Sequence, residues 1–150
     1  MIRPLKGHVL VVEDSDEDFE TVMDASRLAK VVNEIRRASS GDECLQHLAD
    51  LECRGHALPI LVLLDLNTPK GDGRDVMRSI VRNERLRAIP LVVISASANS
   101  RDVSFCYEHG ANAYHLKPVS HPQHLQILQN IFSYWLTSAI HPEFEGAIRT

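Results

Sequence analysis

Four apolar runs in this sequence end on residues that cost free energy to bury. "HVLVVED" closes on Glu13 and Asp14, "ILVLLD" on Asp65, "PLVVIS" on Ser95 and "AYHLK" on Lys117. A buried carboxylate destabilises a fold unless something pairs with it. Asp65, followed by the turn residues Asn67, Pro69, Gly71 and Gly73, therefore needs a partner from elsewhere in the chain. Three carboxylates gathered in one place repel one another, so their pKa values rise or a cation binds. An oxygen-only donor set with room for water suits Mg2+, a hard octahedral ion, better than zinc. The expected ligands are Asp14 and Asp65 directly, the Asn67 main-chain carbonyl as a third, and Glu13 through water. Pro69 and the glycines would turn the loop so that this carbonyl faces the ion.

A carboxylate beside Mg2+ and a lysine is also equipped for phosphoryl transfer, which is catalysed mainly by positioning and charge neutralisation. Asp65 would attack in line, Mg2+ and Lys117 would hold the phosphoryl oxygens, and Ser95 would hydrogen-bond one of them. The product would be an aspartyl phosphate, a reactive acyl phosphate and so a reversible mark. Asp65 reads as a phosphoacceptor.

The elements that must bring these residues together follow from periodicity. Residues 8–14, 60–65 and 90–95 are nearly continuous Val, Ile and Leu, as strands covered on both faces require. Residues 33–38, "NEIRRA", alternate and carry charge, which suits an edge strand; residues 113–117 supply a fifth run. Helical stretches lie between them. "SDEDFETVMDASRLAK" opens with acids suited to a helix N-terminus. Ser40 and Glu43 stand at capping-box spacing, and "NSRDVSFCYEH" stops at Gly110. The last helix begins near Ser120 and Pro122 and should stop before Pro142.

Five βα units predict an α/β fold, a doubly wound five-stranded parallel sheet of order 2-1-3-4-5 with helices on both faces. Ligands in such sheets sit outside the carboxyl ends of the strands, where the order reverses. The ends of the first, third, fourth and fifth strands then share one rim.

The chain has 150 residues, 44% apolar and 24% charged, with a formal charge of −4 (16 basic minus 20 acidic). That is the size and composition of one globular domain. The charge, with no Lys/Arg block, argues against a nucleic-acid surface. Apolar runs of four or five residues are too short for a membrane span. Cys44, Cys53 and Cys106 lack metal-type spacing and read as reduced thiols, which places the chain in a cytoplasm.

At the strand ends the chain resembles the receiver domain of two-component response regulators. The residues that carry the likeness are Glu13-Asp14, Asp65 to Gly73, Ser95-Ala96 and Lys117-Pro118, over roughly residues 8 to 138. The resemblance implies a flavodoxin-like receiver fold with an extended C-terminal helix, over 1–140, and a tail at 141–150. It implies Mg2+-dependent transfer from a phosphohistidine on a sensor histidine kinase. It also implies that Ser95 and Tyr114 reorient on phosphorylation and that Lys117-Pro118 is a cis bond. Two departures stand out: extra length in "LECRGHALP", expected as a surface loop, and Thr68 where Met or Leu is commoner. "LDLNTPKGDGRDV", "GANAYHLKPV" and "YWLTSAI" look like the small stand-alone regulators that partner phytochrome-type histidine kinases.

Blander roles compete at single positions. Glu13 and Asp14 could only cap a helix, Ser95 could be a small strand-end residue, and Tyr114 a packed aromatic. His121 and His124 stand at i, i+3 but read as helix surface, and the other six histidines show no cluster. In the last helix, Leu125, Leu128, Phe132 and Leu136 form one stripe and Ile127, Ile131, Tyr134 and Trp135 another. The apolar arc exceeds what one buried face needs, so a homodimer is expected, the alternative being a fully buried helix under the C-terminal tail. The resemblance implies that the fourth helix, fifth strand and fifth helix form the dimer face, which Phe105 and Tyr107 could join. Kinase choice is expected on the first helix around Phe19 and Val22.

The leading function is therefore a phosphorylatable signalling domain acting through protein contacts, since too little chain follows residue 118 for a DNA-binding module. It would not be a turnover enzyme. One rival is an aspartate-nucleophile phosphohydrolase of the haloacid dehalogenase type, but Asn67 stands where that chemistry needs a second aspartate. The other is a pseudo-receiver that keeps only the fold, against which the complete set Glu13, Asp14, Asp65, Ser95 and Lys117 argues.

Overall fold

The three runs of near-continuous Val, Leu and Ile become the middle of a parallel sheet. The computed structural model describes residues 7–68 and 72–142. Along the chain come β1 (Val9–Val12), α1 (Asp16–Leu28), β2 (Ile35–Ala38), α2 (Gly41–Cys53), β3 (Leu61–Asp65) and α3 (Gly73–Val81). After them come β4 (Leu91–Ser95), α4 (Ser100–Glu108), β5 (Ala113–Leu116) and α5 (His121–Ser133). A short 3-10 turn, Leu86–Ala88, precedes β4, and a π-helical turn, Tyr134–Ser138, prolongs α5. The strand order is β2-β1-β3-β4-β5, with every neighbouring pair parallel.

Each strand divides its side chains between two cores. Leu10, Val12, Val62, Leu64 and Val93 point to one side, where α2, α3 and α4 add Leu48, Val76, Met77, Ile80 and Cys106. Val9, Val11, Leu61, Leu63, Val92 and Ile94 point to the other, where α1 and α5 add Val22, Ala25, Leu128, Ile131 and Phe132. Every residue of β1, β3 and β4 is buried, which explains why those runs lack polar alternation. β2 at the edge keeps Arg36 and Arg37 half-exposed, and charge there deters pairing with another sheet.

The helix ends follow local chemistry. Ser15 Oγ accepts from Asp18 N at 3.1 Å and Ser40 Oγ from Glu43 N at 3.1 Å. Gly110 takes φ +97°, which ends α4. Gly73 opens α3 so close to β3 that a Cβ would lie 2.6 Å from the Leu66 carbonyl oxygen. The segment 51–59 is not wholly loop: Leu51 and Cys53 complete α2, and Gly55, at φ +65°, turns the chain away.

The buried face of α5 mixes the two apolar stripes. His124, Leu128, Ile131 and Phe132 face inward, while Leu125, Ile127, Trp135 and Leu136 are partly covered at its margins. His124 is thus buried, not helix surface, and Val22 is buried against the sheet, so it offers nothing to a partner. A further correction concerns His8 and His47, whose Nε2 atoms lie 3.1 Å apart. They are 39 residues apart in the chain, and the fold sets the middle of α2 beside the residue that precedes β1. Cys44 and Cys106 are buried and Cys53 is exposed; burial pushes the Cys44 thiol up to about 12.

Candidate functional site

Register brings the strand ends level. Val12 pairs with Leu64, Asp65 with Ile94, and Ser95 with Leu116. The residues one step past these pairs, Glu13 and Lys117, therefore flank Asp65 and Ser95. The Lys117 backbone N–H donates to the Ser95 carbonyl at 2.7 Å, which seats the lysine at the rim.

The Lys117 ammonium lies 3.0 Å from each of three carboxylate oxygens: Glu13 Oε1, Asp65 Oδ2 and Asp18 Oδ2. Sequence reasoning missed Asp18. It sits among three acids at the start of α1 and reads there as a helix-dipole partner. The available signal was its place three residues after the N-cap Ser15, a position whose side chain turns back toward the cap. Asp65 has both oxygens engaged, because Asn67 N donates to Oδ1 at 3.1 Å. This short loop bond holds the carboxylate in one orientation.

The electrostatics are those of a pocket short of positive charge. Glu13 is pushed up to about 7, first by burial and then by the Asp65 carboxylate, with Lys117 opposing both. For Lys117, burial acts downward, but Asp65 and Glu13 together raise it above its ordinary value, so the ammonium stays charged.

Glu13, Asp14 and Asp65 each present an oxygen, and these atoms lie within 4.8 Å of one another. Among the described residues no other group of three or more His, Cys, Asp or Glu meets that condition. Glu13 and Asp65 are buried and Asp14 is exposed, which leaves one side open to water. An all-oxygen set, partly hydrated, fits Mg2+. Asn67, two residues after Asp65, is exposed, while Pro69 and Gly71 lie outside the described residues. Thr68 Oγ1 accepts from Gly41 N at 3.2 Å and ties this loop to the start of α2.

Ser95 is fully buried, and its Oγ accepts from Ser97 N at 3.1 Å. The Tyr114 hydroxyl donates to the Ser97 carbonyl at 2.6 Å. The Ser97 hydroxyl donates to Asp102 Oδ2 at 2.6 Å, and Asp102 is paired with Arg74 of α3. Ser97, which sequence reasoning also passed over, thus joins Ser95, Tyr114, α4 and α3. The Lys117–Pro118 peptide is trans, not cis as the resemblance implied; there are no cis bonds among the described residues. Trans is the intrinsically favoured isomer, by about 0.5–1 kcal/mol before proline.

Comparison with known proteins gives a consistent picture. Residues 9–129 match the response regulator receiver domain. The chain is 37% identical over 128 residues to "Probable methanogenesis regulatory protein FilR2" of Methanothrix harundinacea, covering 85% of this chain and 83% of that one. It is 34% identical over 135 residues to response regulator Rcp1 of Synechocystis, covering 89% and 92%. A structure of Mn(2+)-bound Rcp1 superimposes with a TM-score of 0.83 at 32% identity, over 91% and 99% of the two chains. The phosphorylated cyanobacterial phytochrome response regulator RcpA superimposes with a TM-score of 0.85 at 33% identity, over 92% and 99%. No helix among the described residues is long and apolar enough to cross a membrane.

Proposed function

The chain belongs to the response regulator receiver family, and on that footing we propose that it is a signalling protein whose Asp65 accepts a phosphoryl group. The observation that carries this reading is the Lys117 ammonium 3.0 Å from Asp65 Oδ2, beside the Glu13 and Asp14 carboxylates. In the reaction, an Asp65 carboxylate oxygen bonds to phosphorus while the bond from phosphorus to the donor nitrogen or oxygen breaks. The electron pair leaves with the donor, a phosphohistidine of a sensor kinase. Lys117 passes a hydrogen bond from the carboxylate to a phosphoryl oxygen, and the Ser95 hydroxyl, freed from Ser97 N, supplies another. Hydrolysis of the acyl phosphate returns the aspartate and releases phosphate.

Asp14, Asp65 and the Asn67 carbonyl would hold Mg2+ directly, with Glu13 through water. The ion supplies charge neutralisation for the transferring group. Rcp1, solved in a Mn(2+)-bound form, supports a divalent ion as the partner of these oxygens. RcpA, a phytochrome response regulator, supports a light-sensing kinase of phytochrome type as the donor. Ser95 and Tyr114 would report the phosphorylated state, since both meet at Ser97. Cytoplasmic placement is consistent with that partner.

A homodimer through α4, β5 and α5 is the second part of the proposal. Tyr107, Leu116 and Tyr134 expose half or more of their surface on this side, and a cavity of about 420 Å³ lined by Ala113, His115, Tyr134 and Trp135 opens between β5 and α5. Sedimentation with and without beryllofluoride tests it; a monomer under both conditions contradicts it.

The acceptor is tested by incubating the protein with acetyl phosphate and Mg2+ and measuring intact mass. One phosphoryl group on wild type, none on Asp65→Asn and none in EDTA is the expected result. Equal labelling of both proteins would overturn the reading.

A further inference from the structure

An ammonium has three N–H bonds, and in this protein three carboxylates take them. Two acceptors, Glu13 and Asp65, belong to the strand-end pocket. The third, Asp18 at 3.0 Å, comes from the first turn of α1. Its side chain is 31% exposed, against 5% for Glu13 and 10% for Asp65. Its own backbone N–H donates to Ser15 Oγ at 3.1 Å, so the capped turn holds it in place over the strand ends.

We infer that Asp18 is a positioning residue for phosphoryl transfer, fixing Lys117 Nζ from the α1 side so that one N–H stays aimed at Asp65. The inference rests on the reading of Asp65 as acceptor. A lysine ammonium is a point charge on a flexible four-carbon stem and has no fork geometry of its own to fix its direction. Once Asp65 becomes an acyl phosphate, its carboxylate no longer anchors the lysine. With Glu13 as sole anchor the nitrogen would swing. With Asp18 as well, two of its three donors stay bound and the third moves from a carboxylate oxygen to a phosphoryl oxygen with little displacement of the nitrogen. Orientation held in this way lowers the barrier without any contact to phosphorus. Asp18 acts through Lys117 alone.

The experiment measures the rate at which acetyl phosphate labels Asp65 at saturating Mg2+, by intact mass. Asp18→Ala should slow labelling about tenfold, the size of one lost positioning hydrogen bond. Asp18→Asn keeps an acceptor oxygen and should recover to within about threefold of wild type. In a Lys117→Ala background, Asp18→Ala should have no further effect, because its partner is gone. Circular dichroism monitors the fold; should Asp18→Ala not fold, Asp18→Glu, which moves the carboxylate by one methylene, carries the test and should also be slowed severalfold. Labelling of Asp18→Ala or Asp18→Glu at the wild-type rate overturns the inference. So does equal slowing with and without Lys117, which would make Asp18 only a helix-terminus residue. Asp18→Asn as slow as Asp18→Ala would mark a charge effect and overturn it too. If wild type itself takes no phosphoryl group, the acceptor reading fails instead; if wild type labels and the variants keep pace, only the role of Asp18 fails.

Discussion

The Tyr114 hydroxyl is hydrogen-bonded to the Ser97 carbonyl at 2.6 Å, and Ser97 N is bonded to the Ser95 hydroxyl at 3.1 Å. A buried serine at the end of β4 and an aromatic on the edge strand therefore share one residue. Tyr114→Phe should lower stability by about 1 kcal/mol, the net worth of a part-buried hydrogen bond. Urea denaturation checks this; an unchanged midpoint would mean that the hydroxyl is not bound to Ser97 in solution.

Gly73 sits where any side chain would strike backbone. A Cβ there would lie 2.6 Å from the Leu66 carbonyl oxygen and 2.8 Å from its Cα, neither of which can step aside as a flexible side chain would. Gly73→Ala should cost about 2–3 kcal/mol and shift α3 away from the end of β3. Urea unfolding measures the loss, and a variant as stable as wild type would contradict the close approach.

The His8–His47 pair makes stability depend on pH. The Nε2 atoms are 3.1 Å apart and the rings meet edge-on, so one neutral ring donates to the other. Burial first, then Arg36 and His47, against an opposing pull from Glu34, lowers the His8 pKa to about 4. An unfolded histidine titrates near ~6.5. Between these values the unfolded chain binds more protons, so this contribution is complete above pH ~6.5 and falls as pH drops toward 4. The loss over that window should be on the order of 3 kcal/mol. NMR titration of the His8 ring checks it; a midpoint near 6.5 would contradict the buried neutral pair.

Mg2+ should stabilise the protein if the three carboxylates hold it. At ten times its dissociation constant, a ligand specific to the folded state adds about 1.4 kcal/mol, or about 3–5 °C in melting temperature for a chain of this size. Asp14→Asn, on the exposed side of the set, should lose most of that gain. A melting temperature indifferent to Mg2+ would contradict the metal site.

The strand-end residues were legible in the sequence because buried strands admit no unpaired charge. Asp65 after the five apolar residues 60–64 announces that a partner exists, and parallel register brings Lys117, at the end of the half-exposed β5, to the same rim. Asp18 was not legible, because acids in an exposed first turn are stabilised by the helix itself and need no further cause. His8 and His47 escaped for a different reason: 39 residues separate them, and no periodicity links a strand start to a helix middle. The inward face of α5 was hidden because its apolar residues cover a wide arc. Packing against α1, β1 and β4 selects Leu128, Ile131 and Phe132, and no local rule does.

The most direct measurement locates the phosphoryl group. Protein treated with acetyl phosphate and Mg2+ is reduced with borohydride, which converts an aspartyl phosphate to homoserine, and its peptides are mapped by mass spectrometry. Homoserine at position 65 and at no other aspartate is the predicted result. Unmodified Asp65, or homoserine at a different position, would contradict it.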